Sequence, residues 1–314
     1  MCIRDRPLTA WLSAQAAMVV IAHGSALAAA LLLYFWIRRR IDEATALFAV
    51  AAVFCLPPAC YYSFAYAESV TLLTLIATLR LLDRRAYVPA ALVSGLATAA
   101  RPTAAPIAAV VLLAYWFNRG GSRGERLRGM IPLGIVAASG ILLYGAYLTA
   151  RFGSPLVYFE NFRAGWVSDE KRASWLEYLT LARVWDQFKY FGRLWRALPV
   201  GLYQATNPFM WNMPLNFFIL FLSLAGLGRV PRSFRPLLAF GPLVFVQSYL
   251  ASGGATFGVE PIARYMAVSV PALVVLAAWC TREWRSGYRA ALLSFMLLLQ
   301  AAWAFRFGLR EWSG

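Results

Sequence analysis

The chain has 314 residues, 61% of them hydrophobic, and its formal net charge is +16. This hydrophobic share, with a positive mean hydropathy, excludes an ordinary soluble domain and indicates an integral membrane protein. The charge does not indicate a nucleic-acid partner, because the basic residues gather between hydrophobic segments.

The first six residues, Met-Cys-Ile-Arg-Asp-Arg, form neither a signal peptide nor a membrane anchor. We interpret residues 1–6 as a non-native leader. We expect residues 7–314 to form a single transmembrane domain, in which residues 151–212 are a long loop on the outer side.

Hydrophobic segments follow one another along the remaining chain. A spanning helix needs about 20 mostly apolar residues, and several segments are shorter, so we expect some to pack inside the bundle without crossing fully. The predicted fold is an all-α polytopic transmembrane helix bundle with about ten membrane helices. The segments are 11–37, 44–64, 66–82, 87–100, 103–117, 131–150, 213–228, 236–250, 266–280 and 290–305.

Basic residues mark alternate connections between these segments and predict which side each connection faces. More than half of the 30 basic residues lie in five connections, at 38–40, 80–85, 119–128, 229–235 and 282–289. These connections are predicted to be cytoplasmic. The remaining connections are predicted to lie on the outer side, and they are 61–69, 100–103, 151–212 and 251–264.

This topology has two consequences. Segment 87–117 could be one helix kinked at Pro102, but this would place the basic connection 119–128 outside, so two short helices that meet at Arg101-Pro102 fit the charges better. The first span must run from outside to inside. We therefore expect a preceding helix and outer loop to be missing, so that the chain is a fragment of a longer protein.

The outer loop 151–212 contains aromatic residues at helical spacing between Trp175 and Trp195. This pattern predicts an amphipathic helix that lies in the membrane interface. The helix is either a lid packed on the bundle or a guide that brings a lipid-linked substrate to the site. The sequence does not separate these two functions.

Glu68 and Arg101 interrupt the apolar sequence, where charged groups are costly and usually functional. Glu68 is expected in the first turn of a helix, and it either binds a sugar hydroxyl, pairs with Arg101, or is simply exposed to headgroup water. Arg101 either binds a phosphate or extends to the interface as a structural residue. Tyr61, Tyr62 and Tyr66 are near Glu68 and suit stacking on a sugar.

Arg264 follows a Gly-rich outer connection and is a second candidate for phosphate binding. The simpler interpretation is an ion pair with Glu260. His23 is alone in an apolar helix, and we interpret it as a packing residue whose hydrogen bonds are satisfied.

Two outer arginines with nearby carboxylates suit transfer of a sugar from a polyprenyl phosphate. A base removes the proton of the acceptor hydroxyl, the hydroxyl attacks the anomeric carbon, and arginine neutralises the departing lipid phosphate. No nucleotide diphosphate leaves, so the reaction demands no metal. We expect no cofactor, no metal site and no structural disulfide.

The run from Leu56 to Ser69, followed by Leu92–Pro102, resembles the PIG-V-type mannosyltransferases, which are GPI mannosyltransferase II and its bacterial relatives in the GT-C superfamily. The more specific matches are Tyr66-Ala67-Glu68-Ser69 and Ala100-Arg101-Pro102, supported by Ala263-Arg264-Tyr265. Other GT-C families also carry an Arg-Pro between short helices. The resemblance covers most of the chain in helix order.

This resemblance implies a GT-C fold and a polyprenyl- or dolichyl-phosphate donor, with mannose as the sugar in the best-known members. It implies a lipid, glycan or protein acceptor. The substrate-binding residues that it suggests are Tyr66, Glu68, Ser69, Arg101, Arg264 and Tyr265. The catalytic Asp of these enzymes lies in the first outer loop, and nothing here matches it, so the catalytic residue stays unassigned and this chain by itself is expected to be inactive if the loop is missing.

Two other classes remain open. The chain is alternatively a polytopic transporter or lipid-carrier flippase, although no convincing internal repeat is found. The second alternative is a non-catalytic subunit of a membrane assembly. The composition is rich in Arg and poor in Lys, which favours a bacterial source. We therefore expect the protein in the bacterial inner membrane, with membrane lipids around the bundle.

Overall fold

The computed structural model describes residues 12–64, 66–157, 174–180, 206–251 and 262–309, with single positions between 158 and 205. All regular secondary structure in these ranges is helical. The α-helices are α1 Ala14–Arg40, α2 Glu43–Cys55, α3 Glu68–Asp83, α4 Tyr87–Ala100, α5 Pro106–Asn118, α6 Arg123–Ala137, α7 Ser139–Phe152, α8 Trp175–Leu179, α9 Pro208–Gly226, α10 Phe240–Ala251, α11 Ile262–Met266, α12 Val270–Glu283 and α13 Ser286–Gly308. Short 3₁₀ turns cover Pro57–Tyr62, Pro102–Ala104 and Arg235–Ala239.

Helix starts follow local capping chemistry. Ser13 Oγ accepts a hydrogen bond from the backbone N–H of Ala16 at the start of α1, and Asp42 caps α2 through Thr45 at 2.7 Å. Ser122 and Glu125 form a reciprocal capping box at the start of α6. These side chains satisfy N–H groups that the first helical turn leaves without partners.

Two of the described helices, α1 and α13, are long and apolar enough to cross a membrane. They have 27 and 23 residues. The prediction of about ten spans is therefore not confirmed. The described apolar helices α2, α4 and α5 have only 13 to 14 residues. At 1.5 Å per residue they are about 20 Å long, which is less than the roughly 30 Å hydrocarbon layer.

The segment predicted at 131–150 is divided between α6 and α7, which meet at an angle of 60°. Counting this bent pair as one span raises the number of candidates to three. Ser94 Oγ donates a hydrogen bond of 2.9 Å to the carbonyl of Ala137, the last residue of α6. Ser94 of α4 thus provides a hydrogen-bond donor for a carbonyl that has no partner within its own helix, because the helix ends there.

The segment predicted at 44–64 is also interrupted. Leu56 has an extended backbone, with φ −56° and ψ 137°, and the Pro57–Tyr62 turn follows. The residue before a proline is biased away from helical conformation, and Pro57 and Pro58 follow in sequence, so α2 ends at Cys55. The chain then turns into the connection that leads to α3.

The predicted break at Arg101-Pro102 is confirmed. Arg101 ends α4 in an extended conformation, with φ −161° and ψ 131°. The Pro102–Ala104 turn separates it from α5. The sequence change from apolar helix to Arg-Pro therefore produces two helices joined by a sharp turn.

One end of the bundle gathers several helix termini. Asp83 Oδ2 accepts a hydrogen bond from Trp36 Nε1 at 3.0 Å, and Asp83 Oδ1 is 3.4 Å from Arg40 Nε. Asn118 Nδ2 donates to the carbonyl of Ser233 at 2.8 Å. We call this the basic end, because the Arg-rich connections 38–40, 80–85, 119–128 and 229–235 meet there.

Helices α4 and α7 approach each other closely. A Cβ atom added to Gly140 would overlap the backbone of Gly95 and Ala99 in α4. Small residues at such crossings allow the backbones of membrane helices to approach. The bundle therefore has a crossing point whose spacing depends on glycine.

Part of the sequence interpretation lies outside the described residues. This holds for the leader 1–6, most of the predicted amphipathic helix, the Gly-rich connection and Glu260. Within the long loop, the described helix is Trp175–Leu179. The assignment of residues 7–314 to one domain stays a prediction.

Candidate functional site

Glu68 is the first residue of α3, and its side chain is buried, at 2% exposure. Ser69 Oγ donates a hydrogen bond of 2.6 Å to the carbonyl of Tyr62 in the preceding 3₁₀ turn. This bond ties the start of α3 to that turn. A carboxylate in the first turn of a helix interacts favourably with the helix dipole.

Two arginines from distant parts of the chain meet at one oxygen of this carboxylate. Arg101 Nη1 forms an ion pair with Glu68 Oε1, and Arg264 contacts the same atom through Nε, at 2.5 Å, and through Nη2. Arg101 is positioned by the end of α4, and Arg264 by the short helix α11. Of the alternatives for Glu68, the structure shows pairing with Arg101, and it adds Arg264.

Aromatic rings cover both guanidinium groups. The Arg264 guanidinium carbon is 4.1 Å from the ring centroid of Tyr61 and 4.5 Å from that of Tyr66. The Arg101 guanidinium carbon is 4.9 Å from the ring centroid of Tyr265. Cation–π contacts of this kind fix the planes of the guanidinium groups.

The cluster contains more positive than negative side chains among the residues that the structure describes. One carboxylate faces two guanidinium groups, which leaves one excess positive charge among Glu68, Arg101 and Arg264. The side chains of Arg101 and Arg264 are 18% and 13% exposed, whereas that of Glu68 is 3% exposed. The carboxylate therefore lies behind the arginines, and positive charge is what an approaching ligand meets.

Two further buried oxygens border the cluster. Glu68 Oε2 and the Tyr62 hydroxyl have no hydrogen-bond partner within the part of the chain that the structure describes. A buried polar atom without a partner is costly, and such atoms are frequent at functional sites. Both atoms are enclosed by the surrounding residues, so neither faces a ligand directly.

The structure brings together all six residues predicted for the site, but their roles differ. Tyr66, Arg101, Arg264 and Tyr265 form the partly exposed surface of the cluster, with Glu68 behind it. Ser69 is fully buried, and its hydroxyl is occupied by the Tyr62 carbonyl. Ser69 therefore positions α3 and does not face a ligand.

Sequence reasoning missed two residues beside this cluster. Gln247 Nε2 donates to the carbonyl of Pro102 at 2.9 Å, which holds the Arg101-Pro102 turn against α10. Phe307 in α13 stacks on Phe64 with 4.5 Å between centroids and contacts Tyr66 edge-on at 6.3 Å. Gln247 could have been recognised in the sequence, because it is the only amide side chain in the apolar helix α10. No feature of the sequence distinguishes Phe307.

The interpretation of His23 as a packing residue is wrong. Its side chain is exposed, and Nδ1 is 2.9 Å from the carbonyl of Val19 in the same helix. The hydrogen bond within α1 satisfies the ring without burial in the bundle. His23 is not part of the cluster around Glu68.

No family model matches this chain, and no curated protein sequence matches it. Among solved structures, it is similar to the Archaeoglobus fulgidus oligosaccharyltransferase in complex with zinc and sulfate, with 14% identity, a TM-score of 0.49, and coverage of 96% of this chain and 43% of that chain. It is also similar to the archaeal oligosaccharyltransferase AglB from Archaeoglobus fulgidus, in complex with an inhibitory peptide and a dolichol-phosphate, with 15% identity, a TM-score of 0.46, and coverage of 96% and 46%. The chain spans less than half the length of the solved structures it matches.

Proposed function

We propose that this chain forms the donor-binding part of a membrane glycosyltransferase. The donor is a sugar, mannose by the family resemblance, carried on a polyprenyl or dolichyl phosphate, and the acceptor is a hydroxyl on the extracytoplasmic side. The observation that carries the proposal is the Glu68–Arg101–Arg264 cluster, in which two arginines share one buried carboxylate.

Two guanidinium groups at one site suit an anionic ligand. Arginine makes forked, charge-assisted hydrogen bonds to phosphate oxygens, and this is the contact that we assign to the pair. Because both side chains are largely buried, their attraction for a phosphate is screened less than that of exposed arginines. We assign Arg101 and Arg264 to the lipid phosphate of the donor.

The surroundings of the arginines suit the sugar. Tyr61, Tyr66 and Tyr265 present aromatic rings against the guanidinium groups. The ring of Tyr66 is 37% exposed, so part of it is open to a sugar. We assign Tyr66 and Tyr265 to donor binding, and Ser69 to positioning of Glu68.

In the proposed reaction, a base takes the proton of the acceptor hydroxyl as its oxygen attacks the anomeric carbon. The bond between that carbon and the phosphate oxygen breaks, and the lipid phosphate leaves with the electron pair. The arginines stabilise the negative charge that develops on the phosphate. The proposal covers binding and leaving-group stabilisation, and it assigns no residue as the base.

The test is binding of labelled polyprenyl-phosphate mannose to membranes that contain the protein, followed by an assay for transfer of the label to an acceptor. We expect Arg101→Gln and Arg264→Gln each to lower apparent donor affinity about 10- to 100-fold, which is the loss of one charge-assisted interaction. Arg151→Gln is the matched control, because Arg151 is exposed at the end of α7. Passage of the lipid-linked sugar across the membrane without covalent transfer would instead identify a transporter or flippase.

A further inference from the structure

A cavity lies at the basic end of the bundle, among α5, the connection after α9 and the Arg235–Ala239 turn. It has a volume of about 460 Å³. This is within the usual range for small-molecule sites, of roughly 300 to 1,000 Å³. It is distinct from the Glu68 cluster, since none of its lining residues belongs to that site.

The lining of this cavity is divided into apolar and cationic parts. Leu113, Phe117 and Leu227 contribute apolar surface, and Phe117 is 66% exposed. Arg232 and Arg235 are exposed and line the same cavity. No acidic residue is among the lining residues. The cavity thus combines a hydrocarbon-like wall with two positive charges that no lining carboxylate neutralises.

The connection that carries the arginines is held in place. Asn118 Nδ2 donates to the carbonyl of Ser233 at 2.8 Å, and the ring of Phe234 stacks on Trp36 with 6.0 Å between centroids. Phe234 is buried, so it anchors the connection in the bundle. The two arginines are therefore presented from a fixed backbone, which lowers the entropy cost of binding.

We propose that this cavity binds an anionic glycerophospholipid of the cytoplasmic leaflet. The lipid phosphate contacts Arg232 and Arg235, and an acyl chain lies along Leu113, Phe117 and Leu227. Arg-rich connections face the cytoplasm, where the leaflet carries negative charge, and basic pockets between membrane helices suit such headgroups. This proposal does not depend on the proposed transferase activity.

The experiment measures lipid binding to the full chain in detergent by native mass spectrometry, with phosphatidylglycerol as the probe and phosphatidylcholine as the zwitterionic comparison. We expect phosphatidylglycerol to be preferred. The double variant Arg232→Gln/Arg235→Gln should lower its affinity about 30-fold, since each basic residue near an anionic lipid contributes about 1 kcal/mol. The matched control is Arg123→Gln/Arg128→Gln, which removes two exposed charges from α6 outside the cavity.

A second variant tests the apolar wall without a change in charge. Leu227→Trp should fill part of the cavity and weaken phosphatidylglycerol binding, while a melting curve confirms that the chain is folded. Equal loss in both double variants, or no loss in either, would overturn the proposal. So would equal binding of the two phospholipids, equal affinity for glycerol phosphate alone, or a preference for polyprenyl phosphate over phosphatidylglycerol.

Discussion

Glu68 Oε1 accepts a hydrogen bond from Arg264 Nε at 2.5 Å, which joins two residues that are 196 positions apart in the sequence. The bond connects the start of α3 with α11, and Arg101 at the end of α4 shares the same oxygen. The cluster therefore assembles only when both halves of the chain have folded against each other. A change to any of the three residues should therefore affect the stability of the folded chain.

Replacement of Glu68 by Gln should destabilise the protein. The change leaves two neighbouring guanidinium groups without their shared carboxylate, and removal of one partner from a buried ion pair costs about 3–5 kcal/mol. Denaturation of the purified chain in detergent measures the effect. Glu43→Gln is the matched control, because Glu43 is exposed at the start of α2 and its loss should cost about 1 kcal/mol or less. Equal effects of the two changes would contradict the ion-pair account.

The variant Arg101→Lys should separate charge from geometry. Lysine keeps the positive charge but lacks the planar guanidinium that contacts Glu68 and lies over the Tyr265 ring. We expect a folded protein with donor affinity lowered about tenfold, from the loss of one charge-assisted contact. Isothermal titration with a polyprenyl-phosphate sugar measures this, and Arg151→Lys is the control. Unchanged affinity in Arg101→Lys would show that charge alone is recognised.

Because α4 and α7 cross closely, addition of a single methyl group at Gly140 should lower the stability of the fold. Gly140→Ala places a Cβ against the backbone of Gly95 and Ala99, which cannot yield as a flexible side chain would. We expect a loss of about 1–3 kcal/mol, as for other overpacked positions. The control is Gly24→Ala in α1, where an added Cβ meets nothing within 4 Å and helix propensity favours alanine. If both variants have the same melting temperature, α4 and α7 are not in close contact.

At the basic end, Asp83→Asn should weaken folding without changing the Glu68 cluster. The substitution removes the charge that faces Arg40 at 3.4 Å and weakens the bond from Trp36 Nε1. A loss of about 1–3 kcal/mol is expected, because hydrogen bonds to charged groups are in this range. Chemical denaturation measures stability, and titration with the donor checks that its affinity is unchanged. A selective loss of donor binding would mean that Asp83 influences the Glu68 cluster.

Much of the helical order could be predicted from the sequence, because apolar runs and Arg-rich connections alternate. The break at Arg101-Pro102 followed from charge placement and from the restriction that proline imposes. The bend between α6 and α7 did not, because the segment 131–150 has no charged residue and its single proline, Pro132, lies well before the bend. It depends on tertiary contacts, including the Ser94 bond to the Ala137 carbonyl and the close approach at Gly140.

The site was only partly predictable. Glu68, Arg101 and Arg264 could be identified as candidates because they are charged residues in apolar sequence. The sequence does not show that both arginines contact the same carboxylate oxygen. That arrangement depends on how α3, α4 and α11 pack. Likewise, no sequence pattern distinguishes Phe307 from other aromatic residues in apolar helices. It contacts the cluster only because of the position of α13.

The central claim is that Arg101 and Arg264 recognise the phosphate of a lipid-linked sugar. The most direct measurement compares the dissociation constants of the purified protein for polyprenyl phosphate and for the uncharged polyprenol. We predict that the native chain prefers the phosphate about 100-fold or more and that Arg101→Gln/Arg264→Gln abolishes this preference, because each charge-assisted contact contributes about 1.5–3 kcal/mol. Equal affinity of the native chain for both lipids, or a preference that survives in the double variant, would contradict the account.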